Sequence, residues 1–226
     1  MNLLSSFDQF RPVPLSFGEG PEEKLPGAEG RKARLAILLS GRGSNMLALL
    51  EATKTGVLKG LAEVVVVFSN KPGAFGLEAA AAMGCPVAAL PSQGRQRETF
   101  DAEAAALLQH YQPDLVVLAG YMRILSPAFI QPFAGRILNI HPADTHQHQG
   151  LHAYEWAFDN QLPETKITVH LVDEGLDTGP ILAQQTVDLH GADTLAEVER
   201  RGLAVEHELY ARVLAELINT PSKTSC

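Results

Sequence analysis

The sequence predicts an α/β protein built on a single doubly wound, mostly parallel sheet. Three observations predict it: short, continuously apolar runs, helical spacing in the segments between them, and turn residues at the junctions. A strand that is apolar without alternation belongs in a sheet covered on both faces. Strand, helix, strand succession makes most of that sheet parallel.

Residues 1–31 stand apart from this pattern. Pro12, Pro14, Gly18, Gly20, Pro21, Pro26, Gly27 and Gly30 interrupt any regular spacing, so a loose extension is expected, with Phe7, Phe10 and Phe17 docking on the body. The body is expected over residues 32–220 and a polar tail over 221–226.

Arg34–Leu39 is the first apolar run and ends at Ser40-Gly41. Ser44 to Lys54 follows with Met46, Leu47, Leu49 and Leu50 at helical spacing. Glu63–Phe68 is the second strand, and the alanine-rich stretch Phe75–Met83 the second helix. Pro86–Leu90, a longer amphipathic helix over Glu98–Tyr111, and the run Asp114–Ala119 come next. Arg136–Ile140 and Lys166–Val172 supply two more strands. Pro180–Asp188 is expected to form an antiparallel hairpin with Lys166–Val172. Thr194–Leu217 closes the chain as a long helix, with Thr194 as its N-cap and Glu197 three residues on.

Bulk properties narrow the function classes. The chain has 226 residues, the length of one ordinary domain with or without a tail. A net charge of -8 with no run of Lys or Arg argues against nucleic acid or an anionic membrane as partner. A small anion held in a local pocket is not excluded. Two cysteines, Cys85 and Cys226, make no disulfide framework and favour a reducing compartment. No apolar run is long enough to cross a bilayer, and the first residues lack a secretory signal. A soluble cytoplasmic protein is expected.

In doubly wound sheets ligands sit beyond the carboxyl ends of the strands. After the first strand comes Ser40-Gly41-Arg42-Gly43-Ser44-Asn45. Glycines let backbone approach an anion, and the amides opening the next helix point at it. A tight turn with Ser44 capping the helix accounts for the same residues. A nucleoside-triphosphate loop is excluded, because Gly43-Ser44-Asn45 stands where Gly-Lys-Ser/Thr is needed. A dinucleotide fingerprint is excluded by Met46 and by Ser69-Asn70-Lys71 after the second strand.

Leu138-Asn139-Ile140-His141-Pro142 places an amide and an imidazole on one side of a buried strand. Such a pair is either functional or satisfied within the core. Asp173-Glu174-Gly175-Leu176-Asp177-Thr178-Gly179-Pro180 is an acidic loop at another ligand-facing strand end, or simply a solvated turn. An amide, an imidazole and carboxylates together suit acyl transfer to an amine. That reaction needs donors for an oxyanion and a route for the amine's proton.

Taken together, these motifs resemble the phosphoribosylglycinamide formyltransferases, folate-dependent enzymes of purine synthesis. The resemblance runs from about Arg34 to Leu217. It rests on Gly41–Asn45, Phe68-Ser69-Asn70, Ala119–Ser126, Leu138–Pro142, Gly150-Leu151-His152, Val169-His170 and Leu176–Pro180. It implies a Rossmann-like formyltransferase fold, 10-formyltetrahydrofolate as co-substrate, glycinamide ribonucleotide as acceptor, no metal, and a monomer or homodimer. Gly43, Ser44 and Asn45 would cradle the acceptor's phosphate, and Glu206 would contact its ribose. Arg97, Met122, Arg123, Ile124, Leu125 and the loop Asp173, Glu174, Gly175, Leu176 and Asp177 would hold the folate, with Asn139 also at its edge. Asn139, His141 and Asp177 would be catalytic: the first two steady the oxyanion, and Asp177 keeps His141 charged and helps move the proton.

One stretch departs from the family. Ala143-Asp144-Thr145-His146-Gln147-His148-Gln149 replaces a Ser-Leu-Leu-Pro-like run beside the catalytic histidine. A different phosphorylated or sugar-linked amine as acceptor, or a non-catalytic folate- or nucleotide-binding relative, therefore stands as an alternative. His146 and His148 are read as exposed loop residues rather than metal ligands.

Overall fold

The computed structural model describes residues 31–220. The docking of Phe7, Phe10 and Phe17, the tail 221–226 and Cys226 lie outside them. Seven strands and six helices alternate as β1 Ala33–Leu39, α1 Ser44–Lys54, β2 Ala62–Ser69, α2 Phe75–Ala82, β3 Val87–Ala89, α3 Arg97–His110 and β4 Leu115–Leu118. They continue as α4 Pro127–Ile130, β5 Ile137–His141, α5 Ala153–Asp159, β6 Glu164–Leu171, β7 Ile181–Asp188 and α6 Leu195–Asn219. A 3-10 turn over Gln131–Phe133 extends α4.

The strands form one sheet in the order β3-β2-β1-β4-β5-β6-β7. Neighbours from β3 to β5 pair parallel, and β6 pairs antiparallel with both β5 and β7. This is the mostly parallel sheet with a closing hairpin that the apolar runs predict. Strand order reverses between β1 and β4, which opens a crevice at their carboxyl ends.

Alternation along β1 shows why both faces are dry. Leu35, Ile37 and Leu39 pack with Met46 and Leu49 of α1 and with Val213 and Leu214 of α6. Ala36 and Leu38 pack on the other face with Phe100 and Leu108 of α3, Phe129 and Phe133. Each such side chain taken from water contributes roughly 1.5–3 kcal/mol. Helix α6 also reaches across the sheet: the buried Tyr210 hydroxyl is shared between the carbonyls of Leu118 (3.1 Å) and Leu138 (3.0 Å). Among the described residues no helix is long and apolar enough to cross a membrane.

Three local expectations are corrected. Ser44 does not cap α1; it is the first helical residue, and Gly43 holds the cap position with φ 80°. The Pro86–Leu90 run gives only a three-residue strand at the sheet's edge, where Val87 is exposed while Ala88 and Leu90 pack partly against the core. Helices α4 and α5 are missing from the sequence reading, since four and seven residues are too short to display a period. Thr194 does cap α6, its hydroxyl accepting from the Glu197 amide at 3.2 Å.

Candidate active site

Loops from four strands are tied together at the carboxyl edge. The Ser40 hydroxyl after β1 accepts from the Met122 amide after β4 (2.9 Å) and donates to Asn70 after β2 (2.6 Å). The Asn70 amide then donates to Ser92 after β3 (3.1 Å).

Strand β5 aims Asn139 and His141 at the same side, as alternate residues of a strand must. Antiparallel register sets His170 opposite Asn139 and Thr168 opposite His141. The pairing of β6 with β7 slips by one residue between Val169 and His170, so the sheet is bulged next to the site. Asp177 arrives from the loop after β6. Asp173 winds that loop by accepting from the Gly175 amide (3.0 Å) and the Thr178 hydroxyl (2.7 Å). Gly179 lies so close to the Leu171 carbonyl that any Cβ would overlap it. Asp177 itself has φ 53°, a left-handed conformation that aspartate tolerates better than most residues.

The carboxylate of Asp177 is the hub. Its Oδ1 accepts from Asn139 Nδ2 (3.2 Å) and lies 3.4 Å from His170 Nε2; its Oδ2 accepts from the Gly150 amide (2.8 Å) and lies 3.5 Å from His141 Nδ1. Burial pushes this carboxyl up, but His170, the Gly150 amide and His141 outweigh it and hold the group below its ordinary value. The imidazole of His141 is buried, and burial lowers its pKa more than Asp177 and the His148 carbonyl raise it. The pairing is therefore felt by the carboxylate, while the ligand-free imidazole is neutral at neutral pH. The resemblance implies that Asp177 holds His141 charged; in the ligand-free chain Asp177 favours that charge and burial opposes it.

Tautomers follow from the acceptors. His141 Nε2 faces the His148 carbonyl at 3.0 Å, so it carries a hydrogen and Nδ1 is the nitrogen turned to Asp177. His170 Nδ1 donates to the Leu171 carbonyl (2.8 Å), and its Nε2 lies between Asn139 Nδ2 (3.2 Å) and Asp177 Oδ1 (3.4 Å). His170, to which the sequence reading gave no role, thus orients the Asn139 amide. That place comes from antiparallel register with Asn139.

A second cluster joins α1 to α6. Gly43 is left-handed and boxed in by Met46, Gly76 and Leu39, so only glycine fits without displacement. The first helical bond runs from the Leu47 amide to the Gly43 carbonyl, which leaves the preceding amides without helical acceptors. Asn45 is buried, and its Nδ2 donates to Glu206 at 2.6 Å. The Tyr154 hydroxyl donates to the other oxygen of Glu206. Burial pushes the Glu206 carboxyl up despite both donors. Asn45 Oδ1 is buried and has no hydrogen-bond partner among the described residues.

The third group is looser. Met122 and Ile124 are exposed, whereas Arg123 and Leu125 turn inward. Arg123 lies over the Phe100 ring and 3.7 Å from Asp101, a fully buried carboxylate that also accepts from the Ser126 amide (2.7 Å). Arg97 opens the same helix one turn earlier and pairs with Glu98. Glu174 and Leu176 are exposed. Exposed Leu151 and Leu176 thus supply apolar side chains on two loops that reach the polar hub, and exposed Met122 and Ile124 do so on the loop after β4.

His146 is exposed as expected, but His148 is not a free loop residue: its ring packs against His141 and Trp156. Among the described residues no group of three or more His, Cys, Asp or Glu side chains is arranged to hold a metal ion.

Residues 33–214 match the formyl transferase family. The chain is 42% identical over 182 residues to the phosphoribosylglycinamide formyltransferase of Escherichia coli K12, covering 80% of this chain and 85% of that one. It is 40% identical over 190 residues to the trifunctional purine biosynthetic protein adenosine-3 of Drosophila melanogaster, 84% of this chain but only 14% of the relative's length. The crystal structure of phosphoribosylglycinamide formyltransferase from Bacillus halodurans superposes with a TM-score of 0.78 at 40% identity, covering 83% of this chain and 96% of that one.

Proposed function

The chain belongs to the formyl transferase family, and we infer that it moves the formyl group of 10-formyltetrahydrofolate onto the amine of 5-phosphoribosylglycinamide in purine biosynthesis. The observation that carries this reading is the convergence of Asn139, His141 and Asp177 on one strand-end hub. The same reading makes residues 32–220 the catalytic body, and makes the protein a cytoplasmic enzyme of small molecules with no nucleic-acid or membrane partner.

The Gly43, Ser44 and Asn45 amides hold the acceptor's phosphate at the start of α1. Glu206 takes ribose hydroxyls, and the unpartnered Asn45 Oδ1 offers them a further acceptor. Exposed Met122, Ile124 and Leu176 suit a planar, largely apolar ring held beside Arg97 and the loop Asp173–Asp177. The folate donor supplies an activated formyl carbon. As the amine attacks that carbon, negative charge gathers on its oxygen. Asn139 Nδ2, with the hydrogen not given to Asp177, and His141 Nδ1, once it has taken up a proton, are the donors that meet it. The oxyanion raises the His141 pKa, so the imidazole gains at that moment the charge that burial denies it beforehand. Asp177 stabilises the imidazolium and steers the amine's proton, through water, to the departing nitrogen.

Formyl transfer to glycinamide ribonucleotide, followed by the absorbance of the tetrahydrofolate released, tests the assignment. Transfer to this acceptor is expected. Transfer to another phosphorylated amine alone would instead favour the alternative acceptor suggested by the altered 143–149 segment.

A further inference from the structure

The 143–149 segment, in which the chain departs from its family, is fastened by an acid that its loop position would leave in water. Asp144 is only 7% exposed. Its Oδ2 accepts from Lys166 Nζ of β6 (2.8 Å), and its Oδ1 from Gln184 of β7 (3.2 Å) and from the His146 amide (3.1 Å). Gln184 also donates to the Thr168 hydroxyl (2.9 Å), which donates to the Ala143 carbonyl (2.7 Å). The ring of bonds therefore closes from the segment onto two strands and back. Burial pushes the Asp144 carboxyl up, and its three donors more than reverse that, so it stays ionised.

The fastened turn delivers one group to the active site. The amides of Gln147 (2.8 Å) and His148 (2.9 Å) both donate to the Asp144 carbonyl, and the chain then places the His148 carbonyl 3.0 Å from His141 Nε2. The His148 ring lies nearly parallel to that of His141, at 10° and 6.2 Å, and is backed by Trp156 at 4.9 Å.

We propose that Asp144 is a positioning residue for His141. Anchored by Lys166 and Gln184, it folds the 144–148 turn so that the His148 carbonyl fixes Nε2–H and leaves Nδ1 facing Asp177. A carbonyl only accepts, so the bond decides both the tautomer and the ring orientation. Without it a half-turn about χ2 sets Cδ2 where Nδ1 stands and Cε1 where Nε2 stands, and the proton-handling nitrogen turns away from Asp177. The charged and titratable groups facing the imidazole are Asp177 from the β6–β7 loop, His170 from β6 and His148 from the turn; Lys166 stands behind Asp144. The proposal rests on the catalytic reading of His141, but its first test does not use activity.

In ligand-free protein, long-range proton–nitrogen NMR of the His141 ring is expected to report the Nε2–H tautomer. Asp144→Ala should mix the tautomers and lower the His141 pKa further, because the raising contribution of the His148 carbonyl is lost. Lys166→Met, at a half-exposed site, should shift both in the same direction by less, and it keeps the test open if Asp144→Ala fails to fold. Turnover should fall by up to about a hundredfold in Asp144→Ala, with KM for the acceptor little changed and the pH limb governed by His141 moved down. Asp144→Asn, which keeps the acceptor oxygen, should recover part of the rate. An unchanged His141 tautomer and pKa in folded Asp144→Ala or Lys166→Met overturns the proposal. Full activity in His141→Ala would overturn the catalytic reading instead, with the NMR result still deciding the positioning.

Discussion

At Asp177 and His141, burial and partners pull against each other with opposite results, and pH dependence follows from both. The Asp177 carboxyl is held below its ordinary 3.8 in the folded state. The stability it contributes is therefore present above that value and lost as pH falls through the lower folded one. His141 is depressed below its ordinary 6.5. The unfolded chain binds that proton more readily, so folding loses ground as pH drops below 6.5. Urea unfolding should accordingly show stability falling from pH 6.5 downward, and His141→Gln should flatten the upper part of that fall. A slope unchanged by the substitution would assign the loss to other groups. Tyr210→Phe removes the hydroxyl shared by the Leu118 and Leu138 carbonyls, and should cost about 1–2 kcal/mol in the same assay without altering KM.

At the scale of elements, the junction of β1 and α1 is the proposed acceptor site. Gly43 is left-handed, and a Cβ there would lie 3.1 Å from the Gly76 backbone. Gly43→Ala should cost roughly 1–2 kcal/mol in stability and raise the acceptor's KM more than it lowers kcat. An unchanged KM would remove the phosphate cradle from this turn. The strands, α1, α3 and α6 were legible in the sequence because their apolar residues fill whole periods. Asn139 and His141 were legible because strand alternation alone puts them side by side. What escaped depended on tertiary partners. The seven residues of α5 show no period. His170 gains its role only from antiparallel register with Asn139. Asp144 and His148 sit in a polar stretch that reads as exposed, and only Lys166, Gln184, His141 and Trp156, brought from other elements, bury them.

Across the whole molecule, the topological switch between β1 and β4 places the turn proposed for the phosphate and the loop proposed for the folate on one edge, joined through Ser40 and Met122. The proposed reading assigns the two ligands to separate clusters there, so their effects should separate. Each should stabilise the protein by about 2.7 kcal/mol at a hundredfold excess over its dissociation constant. Asn45→Ala should abolish most of the thermal shift given by glycinamide ribonucleotide and leave the folate shift intact; loss of both would mean a collapsed α1–α6 junction. The hub of Asn139, His141 and Asp177 is where we propose that the chemistry takes place. The most direct measurement is single-turnover formyl transfer by Asp177→Asn and His141→Ala, with both ligands saturating and their dissociation constants measured alongside. The account predicts rates lowered by about 10²–10⁴ with both ligands still bound near parental affinity. Parental rates in either variant would contradict it.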